Sequence, residues 1–298
     1  MDIADRIDTS EKLCDLASQC EPFSLGAGPP RKRQEFYLYR GVRESRYELL
    51  SSLQREAKNI YHDDWKNRIA AYERDLVNRF LGEIVPYRKL NEQYHWFCPP
   101  SLNTDTFWYL SVMQHFGFPT RLCDFTSDFW TAIFFAADGA NDANDMGLYR
   151  LKCVNDDLAG NKLPKDSTGK PWANSNGYDV NQLLGYKIGY SGFNLNDGVN
   201  SRMRQFDGSA DCQMYGWDVP HFKNARIQQQ AGFFVYGVNV AEPLEECIVA
   251  HPGSELQKYE IAKGILGDIR RKLEEMDLIR WKVYLDLDKA FGDWKAAR

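Results

Sequence analysis

The stretch HFGFPTRLCDFTSDFWTAIFFAAD, residues 115–138, carries the reading that decides the fold. A Gly-Phe-Pro turn leads into TRLCDF, which has strand character, and then into SDFWTAIFFAAD, an apolar run that Ser127 or Asp128 can cap as a helix. A strand, a polar junction and an apolar helix in direct succession describe one unit of an α/β protein. Arg121, Asp124, Thr126 and Ser127 lie at that junction. They either cap and pair within an ordinary core unit or face a ligand.

Working outward, TDTFWYLSVMQHF (104–116) reads as a helix with Thr104 or Asp105 as N-cap and Gly117 closing it. The aromatic run in EFYLYRG suits a buried strand that stops at Gly41. Trp65, Ile69, Tyr72, Leu76 and Phe80 make one apolar helix face, ended soon after by Pro86. Residues 1–35 read as a short helix and a Gly/Pro-rich linker, and MGLYRLKCV (146–154) alternates as a strand. AGFFVYGVNV (231–240) and EECIVAH (245–251) return to strand character. Apolar positions from Ala262 to Met276 mark a long helix over 259–276, and WKVYLDLD (281–288) a closing strand or turn. Residues 155–224 are rich in Gly, Asn, Asp and Ser without periodicity. Such a length exceeds a plain connection, so it reads as an insertion at a site or interface, or as cover for a sheet edge.

Composition narrows the function. Hydrophobic residues form 43% of the 298, enough to bury the core of a single mixed domain. A net charge of −5 supplies no global attraction for a polyanion, and RKR at 31–33 reads as solvated loop charge. The seven cysteines are odd in number and contain no C-x-x-C pair, which points to reduced thiols in a cytoplasmic protein. The N-terminus lacks a signal-peptide pattern and no run of eighteen apolar residues occurs, so no membrane partner is expected. His95 and Cys98 offer two ligands without a second pair, and no metal is expected. Walker, G-x-S-x-G and G-x-G-x-x-G signatures are missing, which removes standard P-loop, hydrolase and Rossmann chemistry.

Three polar stretches beside apolar runs remain: Arg40 and Gly41 in YLYRGV; Arg121, Asp124, Thr126 and Ser127 in PTRLCDFTSD; and Arg226, Gln228 and Gln230 in NARIQQQAGFF. An arginine at a strand end serves a structural salt bridge as readily as a ligand, and Asp124 is the obvious carboxylate to pair with Arg40 or Arg121.

YRG at 39–41, YELLSSLQR at 47–55, QHFGFPTRLCDFTSDFWTAIFFA at 114–136 and RIQQQAGFF at 226–234 together resemble the FRG domain family, and ILGDIRRKLEEMDLIRWKVYLDLD is similar to its closing helix. Tyr39, Cys123 and Phe125 depart from the commoner residues of the motif. The resemblance implies an N-terminal helix and linker at 1–35, an FRG domain at 36–292 with the insertion at 155–224, and a tail at 293–298. The arrangement is in turn similar to ADP-ribosyltransferase folds. By that analogy the chain is a mixed α/β domain with a central split or mixed sheet around a cleft, flanked by helices. The strands at 36–39, 121–125 and 233–238 would then lie in neighbouring layers about that cleft.

The same analogy implies an NAD-consuming enzyme, a toxin or phage-defence effector, that modifies a protein or nucleic-acid acceptor. Arg40 would clamp NAD by ribose or phosphate, beside Gly41, Thr126 and Ser127 as the cofactor-binding group. Arg40, Ser127 and Gln230 would be the catalytic set, with Arg121 and Asp124 holding the junction rigid. Glutamine at 230 leaves no carboxylate to face an oxocarbenium ion; Glu245 or Glu246 would be the substitute, although capping suits them better. The alternative is a non-catalytic module that uses the same pocket to bind a nucleotide or a partner.

Overall fold

The computed structural model describes residues 3–20, 34–84, 106–115, 117–155, 215–218, 229–237, 239–249 and 254–285. In chain order these form β1 (Ile3–Ile7), α1 (Ser10–Ser18), β2 (Gln34–Val42), α2 (Ser52–Tyr61), α3 (Trp65–Ile84), α4 (Thr106–His115), β3 (Cys123–Thr126), α5 (Phe129–Ala137), β4 (Met146–Asn155), β5 (Tyr215–Asp218), β6 (Gly232–Gly237), α6 (Leu244–Val249), β7 (Glu255–Ile261), α7 (Leu266–Glu275) and α8 (Arg280–Tyr284). The seven strands join in one mixed sheet in the order β1-β7-β4-β2-β3-β6-β5. Only β1 and β7 run parallel among these pairs. The expected mixed sheet is present, but the three polar-ended strands are not in separate layers: β2, β3 and β6 are consecutive neighbours in it.

Alternation along the strands sends side chains to two cores. On one face Tyr39, Met146, Leu148, Tyr259 and Ile261 pack with α1, α5 and α7 through Leu13, Ile133 and Ile269. On the other, Phe36, Leu38, Phe125, Tyr149, Leu151 and Phe233 pack with Leu244, Cys247 and Ile248 of α6. Leu53 and Ala57 of α2 meet Trp65 and Ile69 of α3 in a third cluster. The helical face read from Trp65 to Phe80 is thus real, as is the α4–turn–β3–α5 unit. Gly117 closes α4 at φ +79°.

The YRG stretch shows why such residues occur together. Tyr39 enters the α5 core, its ring edge-on to Phe129 at 5.6 Å. Arg40 points to the opposite face, and Gly41 returns to the α5 face. There a Cβ would stand 1.9 Å from the carbonyl oxygen of Ala132 and 2.7 Å from the amide nitrogen of Ala136. Gly41 therefore admits the backbone of α5, not a turn: β2 continues through it to Val42.

Several expectations fail. EECIVAH is helical in its first half, because Leu244, Cys247 and Ile248 fall on one helix face and Pro243 begins the first turn. Tyr259 and Ile261 belong to β7, so the C-terminal helix begins at Leu266. A short helix stands where WKVY suggested a strand or turn, and β1 precedes the N-terminal helix. The insertion contributes β5, which pairs with β6 at the sheet edge; its remaining residues lie outside the described ones, save Asn155 at the end of β4. Among the described residues no helix is long and apolar enough to cross a membrane.

The packing of α5 gives a direct forecast. Gly41→Ala forces helix and strand apart and should cost about 3 kcal/mol, at the upper end of core overpacking. A urea midpoint equal to that of the wild type would contradict the contact.

Candidate functional site

β2 and β3 share a single register pair, Tyr39 with Thr126. Beyond it, toward Arg40 and Asp124, the ladder stops. Arg40 crosses the opening, its Nη1 donating to the main-chain carbonyl of Asp124 at 2.6 Å. Among the described residues this is its hydrogen-bond partner, and it has no ion pair there. A cavity of about 290 Å³ occupies the opening, lined by Tyr39, Arg40, Gly41, Asp124, Thr126, Gln230 and, from α4, Ser111, Gln114 and His115. Arg40, Gly41, Thr126 and Gln230, three stretches far apart in sequence, thus meet on one concavity. Ser127 is not among the residues that line it.

Local hydrogen bonding qualifies the individual roles. The Thr126 hydroxyl donates to the carbonyl of Gln230 at 2.7 Å and accepts from the Asp128 amide at 2.9 Å, so it fastens the β3–α5 junction to the segment entering β6. Ser127 donates its amide to the carbonyl of Ala231 at 3.0 Å. It does not cap α5: Asp128 does, accepting from the Trp130 amide and the Thr131 hydroxyl, each at 2.9 Å. Ala231, which receives Ser127, sits at φ +45°, a left-handed conformation that costs roughly 1 kcal/mol. The Gln230 side chain donates to the carbonyl of Val283 in α8 at 3.0 Å, and the residue lines the cavity. Gly41 lines the cavity, but the space it provides is filled by α5.

The carboxylate partners differ from those expected. Arg121 pairs with Glu73 of α3, Nε to Oε1 at 2.7 Å and Nη2 to Oε2, with both side chains at most 2% exposed. A bidentate pair this deep locks α3 to the start of β3. Glu73 was legible in principle: it stands four residues after Ile69 on the apolar face of α3, where an unpaired carboxylate would be untenable. Asp124, released from that role, is exposed on β3, accepts from Gln114 Nε2 at 3.0 Å and lines the cavity. Glu245 accepts from the Leu49 amide at 3.2 Å, away from the cavity.

Arg226, Gln228, His95 and Cys98 lie outside the described residues. Among the described residues no group of three or more His, Cys, Asp or Glu side chains is placed to hold a metal ion. Cys14, Cys20 and Cys123 are free thiols.

Residues 35–145 match the family model of the FRG domain. The matched span holds Arg40, Gly41, Arg55, Glu73, Arg121, Asp124 and Thr126; Gln230 and the closing helices lie beyond it. No curated protein and no solved structure matches the chain.

Two measurements check these assignments. Glu73→Gln should cost about 3–5 kcal/mol by leaving a buried guanidinium uncompensated, whereas Asp124→Asn, at an exposed position, should stay within about 1 kcal/mol. Comparable losses would restore Asp124 as the structural partner. Burial pushes the Cys123 thiol from the ordinary 9.0 up to about 11. Between those values the unfolded chain holds fewer protons than the folded one, so Cys123 should make stability fall as pH rises through the window. Cys123→Ala should flatten that part of the stability-versus-pH curve; an unchanged slope would contradict it.

Proposed function

We propose that the protein binds an NAD-type nucleotide in the cavity between β2 and β3 and consumes it as an ADP-ribosyltransferase-like enzyme with a macromolecular acceptor, protein or nucleic acid. The observation that carries this reading is Arg40, a guanidinium at the mouth of a concave site with a main-chain carbonyl in place of a carboxylate partner. A planar fork held by one bond retains donors for ribose or phosphate oxygens. An arginine kept only for stability would be expected to take the nearby carboxylate instead.

Cleavage of the nicotinamide–ribose bond passes through an oxocarbenium-like state. The site must therefore hold the phosphates, keep water from the ribose and oppose positive charge on it. Arg40 meets the first need. Asp124, on the facing strand, would serve the third, and the side-chain oxygen of Gln230 would orient the ribose; both residues line the cavity. Thr126 acts through Gln230 as a positioning residue, since its hydroxyl is occupied by backbone on both sides. The free thiols of Cys14, Cys20 and Cys123 suit a cytoplasmic setting, where a toxin or defence effector would find both NAD and its target.

A second reading, nucleotide binding without turnover, draws on the commitment of the Thr126 hydroxyl and the Ser127 amide to the fold. Both are tested by following free nicotinamide and thermal protection together. NAD should raise the melting temperature of the wild type and release nicotinamide. Arg40→Lys should lose the protection while remaining folded, and Asp124→Asn should keep the protection but release nicotinamide at least roughly 100-fold more slowly. Protection without any nicotinamide supports the binding module. Absence of protection by NAD, ADP-ribose and ATP removes the nucleotide site.

A further inference from the structure

Arg40 borders a second, larger cleft of about 710 Å³ on its other side, lined by Arg43, Arg46 and Arg55 together with Gly41, Val42, Tyr47, Glu48, Leu50 and Phe135. The charges in it are unevenly compensated. Arg46 is paired with Glu44 at 2.7 Å, and Glu48 is taken by Lys58 at 2.9 Å. Among the described residues Arg43 makes no hydrogen bond or ion pair, and Arg55 only donates to the carbonyl of Leu50 at 2.6 Å. Arg40, Arg43 and Arg55 thus converge from the end of β2 and from α2 on one concavity with no carboxylate among their hydrogen-bond partners.

Within this set the charges of Arg40 and Arg55 oppose one another. Partial burial, and then the charge of Arg40, hold Arg55 below the ordinary arginine range. The chain as a whole is acidic, at −5, so this concentration of positive charge is local. Like charges gathered in a concave site are stabilised by a compact anion, and planar guanidinium forks match phosphate oxygens in pairs.

We infer that the cleft bounded by Arg40, Arg43 and Arg55 is a subsite for linked phosphates, a diphosphate or longer, adjoining the smaller cavity through Arg40. The inference goes beyond the proposed function and does not depend on cleavage of any glycosidic bond. The two cavities share Arg40, Gly41 and Phe135, so one ligand can place a ribose or ring in the smaller and its diphosphate in the larger. A single phosphate would engage fewer of the three arginines and bind more weakly.

Isothermal titration of the full chain with inorganic pyrophosphate, orthophosphate, ADP-ribose and adenosine tests it, using Arg43→Glu as the variant and Lys272→Glu as a charge-reversal control remote from the cleft. Arg43 is exposed and makes no hydrogen bond or ion pair within the described fold, so reversing its charge should leave the protein folded. Pyrophosphate should bind more tightly than orthophosphate, and Arg43→Glu should weaken pyrophosphate and ADP-ribose at least tenfold without changing any adenosine binding; the control should change none. Three results would overturn the inference: no pyrophosphate binding, an Arg43→Glu protein that binds it like the wild type, or equal weakening by Lys272→Glu. Pyrophosphate binding that depends on Arg43, in a protein that neither binds nor cleaves NAD, would uphold the subsite while removing the proposed enzyme.

Discussion

The close approach of α5 to the β2 backbone at Gly41 is the constraint on which the site depends. Only a residue without a side chain allows Ala132 and Ala136 to sit against the strand. Once they do, the pleat leaves no freedom to the two preceding residues. Tyr39 must enter the α5 core and Arg40 must leave by the opposite face, where the core residues are Leu38 and Phe36. The position of the guanidinium is therefore a consequence of helix–sheet packing on the other side of the sheet.

The same geometry opens the sheet. β3 hydrogen-bonds along its length to β6, from Cys123 with Val235 to Thr126 with Gly232, yet meets β2 at one pair. An interrupted ladder leaves backbone groups that must find other partners or water. Arg40 satisfies one of them, the Asp124 carbonyl. The buried Arg121–Glu73 pair and the Thr126–Gln230 bond brace the two ends of β3 on either side of the opening. A concavity with a positive rim on the β2 side and a carboxylate on the β3 side is the outcome, and that polarity suits a ligand whose anionic phosphates lie next to a ribose that becomes cationic.

Much of this was legible in the residues. The strand–junction–helix unit at 121–137 and the apolar face of α3 follow from periodicity, and the three stretches that meet at the cavity were the three polar interruptions of apolar runs. Ser127 and Asp128 are equally good caps by residue type, and the turn made by Thr126 decides for Asp128. The errors have physical causes. EECIVA looked like a strand because Ile and Val favour one, but burial at three positions of a helical turn overrode local preference. β7 was hidden because its buried positions continue into the apolar spacing of α7. Asp124 was assigned to an arginine because both lie in one motif; the true partner, Glu73, is 48 residues away from Arg121 along the chain, a pairing that no local pattern reports.

The central claim is that Arg40 is held by the fold for a ligand. A crystal structure of the protein soaked with ADP-ribose tests it most directly. Phosphate oxygens are expected on the guanidinium of Arg40, the diphosphate toward Arg43 and Arg55, and a ribose between Asp124 and Gln230. A ligand bound elsewhere, with Arg40 still engaged only by the Asp124 carbonyl and both cavities unfilled, would contradict it.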